Sequence, residues 1–189
     1  MKRVFFYLTL LTTYLVSSVV LAQEAETDVA KALKSALSAS ESFEDEFAGQ
    51  VWLTAMSQPL SRWIDDPEER LELLTLIHRE STRANLEPGL VLALIQVESA
   101  FDHYAVSYAG ARGLMQIMPF WKKEIGRTDD NLMEIETNVR YGTTILAHYI
   151  EVEKGSVIRA LARYNGSRGK TWYPKRVLDY WYKYWRLGE

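Results

Sequence analysis

The sequence predicts a mainly α-helical domain, on three observations. From residue 51 onwards apolar residues recur at helical spacing, no stretch alternates apolar with polar residues long enough to make a strand, and Pro67 and Pro88 stand where a first helical turn accepts proline. With 48% hydrophobic and 25% charged residues over 189 positions, the chain has the means to build one ordinary core. Disordered and fibrous classes are excluded for most of its length.

Residues 1–22 carry Lys2 and Arg3, then a mostly apolar run ending in Val20-Leu21-Ala22. This is the pattern of a cleaved export signal. The alternative is an uncleaved anchor, but Thr9, Thr12, Thr13, Ser17 and Ser18 dilute a run barely long enough to cross a bilayer. The expected location is the periplasm, with no stable membrane insertion after cleavage. Cysteine is absent, which excludes disulfides, thiol nucleophiles and a lipidated N-terminal cysteine.

Losing Lys2 and Arg3 takes the basic residues from 22 to 20, against 25 acids. Seven of those acids (Glu24, Glu26, Asp28, Glu41, Glu44, Asp45 and Glu46) lie in residues 23–50 with only Lys31 and Lys34, so acids and bases balance beyond residue 50. Residues 23–50 therefore read as an acidic, solvated leader, in spite of the helical spacing of Val29, Leu33 and Leu37. The domain is expected over residues 51–189.

Pro67 opens a helix with Leu71, Leu74 and Ile77 on one side, running to about Ala84. A second helix opens at Pro88, and Gly89 to Val97 is apolar almost all round, as in a helix buried in a core. It closes on Glu98. A carboxylate there costs free energy unless it is paired or keeps its proton, and a carboxylic acid holding its proton near neutral pH can donate it to a leaving group. Capping a turn or pairing with an arginine are the competing roles.

Residues 98–119 read ESAFDHYAVSYAGARGLMQIMP, a polar turn containing Gly110 and Gly113, then an apolar run closed by Pro119. Glu98, Ser99, Phe101, Ser107, Gly110, Ala111, Gly113, Leu114, Met115, Gln116, Met118 and Pro119 together resemble, without a gap, the catalytic domain of soluble lytic transglycosylases, lysozyme-like enzymes that cleave peptidoglycan. Downstream, Asn138 and Gly142, then the segment Ala160 to Gly166, resemble the helix and Ala-Tyr-Asn loop that complete the same family's cleft. Arg163 replaces a frequent alanine, and Tyr-Asn-Gly-Ser replaces the usual Tyr-Asn-x-Gly.

The resemblance implies a lysozyme-like helical domain with a substrate cleft, and peptidoglycan strands as partner. Glu98 would protonate the glycosidic oxygen between N-acetylmuramic acid and N-acetylglucosamine, then deprotonate the sugar's own 6-hydroxyl to leave a 1,6-anhydro end. The tethered nucleophile removes the need for a second carboxyl, and Asp102, Glu124, Asp129, Asp130, Glu134 and Glu136 all lie in polar, surface-type stretches. Ser107, Gly113, Gln116, Tyr164 and Asn165 are the implied substrate-binding residues, with Met115 and Met118 shaping the walls and Tyr164 close to Glu98. Methionine at this spacing also suits a core, and Tyr164 a packed aromatic.

Residues 159–189 hold eight basic residues against Asp179 and Glu189, interleaved with Tyr164, Trp172, Tyr173, Tyr180, Trp181, Tyr182, Tyr184 and Trp185. Such interleaving also occurs in nucleic-acid binders, but an exported chain meets none. A glycan-binding flank fits better; alternatively, Val177, Tyr180, Trp181 and Tyr184 pack a C-terminal helix while the arginines stay solvated. His78, His103 and His148 lack metal-ligand spacing, and no serine elbow or phosphate loop occurs, so neither metal nor cofactor is expected. The remaining alternatives are a hydrolysing goose-type lysozyme and a non-catalytic wall-binding module of cell-wall or secretion machinery.

Overall fold

The computed structural model describes residue 43 and residues 45–187. The expected signal at 1–22 and most of the leader lie outside them. Seven α-helices follow one another: α1 (Glu46–Leu60), α2 (Pro67–Arg83), α3 (Pro88–Glu98), α4 (Trp121–Ile125), α5 (Ile135–Val152), α6 (Val157–Tyr164) and α7 (Trp172–Tyr180). A π-helical turn, Trp181–Trp185, extends α7. Among the described residues no strand forms; the turn after α3 carries only isolated antiparallel bridges, Val106 to Arg112 and Arg112 to Ile117.

The helix starts have local causes. Asp66 and Glu87 accept hydrogen bonds from the first free amides of α2 and α3, and a proline occupies the next position in each, where its missing N–H costs nothing. Asp45 does the same for α1, accepting from the Ala48 amide at 2.9 Å. That cap starts the first helix at Glu46, ahead of the expected domain start at 51, and Gly49 is already buried.

Helix α3 lies at the centre, with Gly89 to Ile95 buried and α2, α7 and the π turn packed around it. Helices α5 and α6 pack on each other and join this core through α2 and α7. Val177 is buried, and Tyr180, Trp181 and Tyr184 pack against the core as expected; Trp185 is also wholly buried, its indole Nε1 donating to Gln96 Oε1 at 2.7 Å. The wider π turn changes which face the chain presents, and turns Trp185 inward to meet Phe101 at 5.6 Å between ring centres. Arg159 and Arg163 of α6 both pair with Glu153, Arg159 while remaining exposed to solvent.

Two polar groups tie the helices together from inside. Glu80 of α2 is 1% exposed and accepts from Arg83 Nε at 2.7 Å and from Arg140 of α5 at 3.0 Å. Burial pushes its carboxyl up, but the hydrogen bonds and charges of Arg140 and Arg83 together hold it below the ordinary glutamate value. Asn138 of α5, also 1% exposed, accepts from the Met115 amide and donates to the carbonyls of Arg112 and Leu132, each at 2.8 Å. One side chain thus anchors the whole turn that follows α3.

Candidate active site

Glu98 closes the buried helix α3 and is itself half-buried. Directly after it the backbone turns sharply, with Ala100 at φ 51° and Phe101 at φ 65°. Left-handed backbone is costly for a bulky residue and persists where surrounding contacts over-determine it. Here the contacts are aromatic: Phe101 is clamped between Trp63 at 5.2 Å and Trp185 at 5.6 Å. Ser99 finishes the turn by donating its hydroxyl to the Leu114 carbonyl at 2.8 Å, so the residue after Glu98 fixes the helix end to the glycine-containing loop.

The hydroxyl of Tyr173, on α7, donates to Glu98 Oε1. Burial raises the Glu98 pKa above the ordinary glutamate value, and the Tyr173 hydrogen bond offsets part of that rise. No other carboxylate contributes to the shift, so Glu98 acts electrostatically as an isolated acid. Burial, and then the charge of nearby Glu98, raises the Tyr164 pKa, but its hydroxyl donates to the Met115 carbonyl at 2.8 Å. The residue that touches Glu98 is Tyr173, which the sequence offered only as one aromatic among eight.

The other expected site residues fall into two groups. Gln116 has φ 50° and commits both amide protons, to the Ala105 carbonyl at 3.1 Å and the Gly113 carbonyl at 3.0 Å. Its Oε1 remains as an acceptor for a sugar hydroxyl or amide. Ser107 Oγ accepts from the Ala111 amide at 3.0 Å and keeps a proton to donate. Asn165 is exposed at the C-cap of α6, and Met118 is half-buried.

Met115 and Gly113 serve the interior. Met115 is 0% exposed and lies over Gly142, where an added Cβ would come within 2.2 Å of its sulfur. Its side chain is therefore core and forms no cleft wall; only its backbone reaches the site, through Tyr164. Gly113, with φ +73°, faces Asn138 so closely that a Cβ would sit 2.4 Å from the amide nitrogen. Its carbonyl nevertheless holds Gln116 in place.

A pocket of about 330 Å³ lies between α2, the start of α5 and the turn, floored by Ile64, Leu73, Phe101 and Leu114 and edged by Glu69 and Glu72. Its lining includes neither Glu98 nor either tyrosine. Among the described residues there is no group of three His, Asp or Glu side chains suited to hold a metal ion.

The family described as "Transglycosylase SLT domain" matches residues 75–180, which take in α3, the turn, Tyr164 and Tyr173. A membrane-bound lytic murein transglycosylase C of Actinobacillus pleuropneumoniae serotype 5b is 50% identical over 48 residues, covering 25% of this chain and 13% of that protein. The protein of the same name from Glaesserella parasuis serovar 5 is 39% identical over 82 residues, covering 39% of this chain and 22% of its own length. A solved structure of an inactive mutant of lytic transglycosylase Slt from Pseudomonas aeruginosa aligns over 68% of this chain and 23% of its own, with 26% identity and a TM-score of 0.47. Each alignment spans less than a quarter of the relative's length. By the match over more than half of its residues, the chain belongs to the transglycosylase SLT domain family.

Proposed function

We propose that this protein is a lytic transglycosylase that cleaves the β-1,4 bond between N-acetylmuramic acid and N-acetylglucosamine in peptidoglycan, outside the cytoplasm. The observation that carries the reading is the isolated, half-buried carboxyl of Glu98 with its raised pKa. A raised value enlarges the share of the acid form, which transfers its proton to the glycosidic oxygen. After departure of the leaving sugar, the carboxylate, still hydrogen-bonded by Tyr173, accepts the proton of the muramic acid 6-hydroxyl as that oxygen closes on the anomeric carbon. Water is not consumed, and the attacking group is already tethered to the reacting centre.

A water-using glycosidase ordinarily places a second carboxyl across the bond. Carboxyls on the downstream side do other work: Asp102 accepts from the Tyr104 amide at 2.9 Å in the turn, and Asp130 accepts from Tyr141 and the Arg127 amide. This favours the intramolecular route over hydrolysis. Gln116 Oε1, Ser107 and Asn165 complete the reading as groups that orient the sugar.

Digestion of purified sacculi followed by mass spectrometry of the muropeptide ends tests it. Anhydro-muramic ends are expected, and Glu98→Gln is expected to abolish them while sacculus binding persists. Reducing ends would replace this reading with a lysozyme, and no released product would leave a wall-binding module.

A further inference from the structure

We propose that Trp172 and Arg176 of α7 form a subsite for an acidic amino sugar at the edge of the Glu98 centre, an inference that rests on the peptidoglycan reading above. Trp172 is 56% exposed, although a large indole normally contributes to a core. Its ring meets the Tyr173 ring edge-on at 5.8 Å and 88°, and Tyr173 is the residue bonded to Glu98. The exposed aromatic is thus one ring removed from the reacting carboxyl.

Arg176 stands one helical turn after Trp172, where i and i+4 side chains are neighbours on a helix surface. It is exposed and forms no ion pair among the described residues, whereas Lys175 beside it is occupied by Asp179 at 2.5 Å.

These two groups supply what an N-acetylmuramic unit presents. The less polar face of a pyranose ring stacks on an indole, and the lactyl or stem-peptide carboxylate pairs with a guanidinium, which offers a fork of donors suited to carboxylates. A neutral N-acetylglucosamine unit would use the indole alone. The pair therefore favours muramic acid over glucosamine at one position along the strand.

The test measures binding in the Glu98→Gln background of the purified chain, so that no turnover intervenes. The probes are chitotetraose and a peptide-free tetrasaccharide alternating N-acetylglucosamine with N-acetylmuramic acid. Trp172→Ala should weaken both ligands about tenfold and Trp172→Phe should largely restore them. Arg176→Ala should weaken the muramic tetrasaccharide about tenfold and leave chitotetraose unchanged, with the difference disappearing at high salt. Unaltered binding by Trp172→Ala, an equal effect or none from Arg176→Ala, or a parent protein that binds neither probe would overturn the subsite. Turnover of sacculi by the unmodified chain is measured alongside: sacculi left intact while the binding pattern holds would refute the cleavage reading alone, and cleavage without the pattern would refute the subsite alone.

Discussion

Tyr173 donates its phenolic hydrogen to Glu98 across a separation of 75 residues, and the bond opposes the effect of burial on the same carboxyl. Burial favours the neutral acid; the hydrogen bond favours the carboxylate. Tyr173→Phe removes the second influence and keeps the first, so the Glu98 pKa should rise further. Because the acid form begins the reaction, the alkaline limb of the kcat/KM profile on sacculi should move to higher pH. The rate at the optimum should fall about ten- to a hundredfold as the carboxyl loses its orientation. An alkaline limb that stays in place would show that Tyr173 does not govern Glu98.

The parts of this site that could be read from sequence are those with local causes. Pro67 and Pro88 mark helix starts, the apolar run after Gly89 marks a buried helix, and Glu98 stands out as the polar residue closing it. The partnerships that complete the site connect distant positions: Tyr173 with Glu98, Trp185 with Gln96, and Asn138 with the turn at Arg112 to Met115. Periodicity says that an aromatic will be buried, not which polar group its hydroxyl or indole will meet. Met115 shows the same limit, since its spacing suits wall and core alike, and only the missing side chain at Gly142 decides for core. The start of α1 was locally legible in Asp45, but the surrounding acidic composition pointed to solvated chain.

Asn138 holds the turn by three hydrogen bonds, so its amide cannot be exchanged for a carboxylate. Asn138→Asp keeps an acceptor for the Met115 amide but loses both donors, leaving the carbonyls of Arg112 and Leu132 facing a buried charge. The expected loss is about 3 kcal/mol, read from denaturant midpoints. Gly142→Ala should cost about 1–3 kcal/mol by forcing a methyl against the Met115 sulfur. Combined with Met115→Ala it should cost less than the two separate losses together, because the shortened side chain vacates that space. Strict additivity would mean that the two side chains do not compete.

Glu80 joins α2 to α5 through Arg83 and Arg140, both of which remain partly open to solvent. Glu80→Gln should therefore destabilise by about 1–3 kcal/mol, because the two arginines can turn towards water once the carboxylate is gone. The pH dependence follows from the lowered pKa. Folding favours the carboxylate, so the contribution is present above the ordinary glutamate value of 4.5 and is lost as pH falls through the lower folded value. Thermal unfolding of the variant should show a smaller acid-side loss than the parent in that range.

His78 governs a different pH window. Its ring stacks on Phe43 at 4.0 Å and meets Trp52 edge-on at 4.9 Å, and burial lowers its pKa from 6.5 to about 4. Between those values the unfolded chain binds a proton that the folded chain refuses, so stability must fall as pH drops from 6.5 towards 4. Glu80 adds a slope of the same sign only around and below its ordinary value of 4.5, so the upper part of the window, nearer 6.5, reports on His78. His78→Phe keeps an aromatic ring against Phe43 and Trp52 but has no proton to gain. Denaturant midpoints measured at several pH values across that window should decline for the parent and decline less for the variant. Parallel curves would place the proton uptake on another group and remove His78 as the cause.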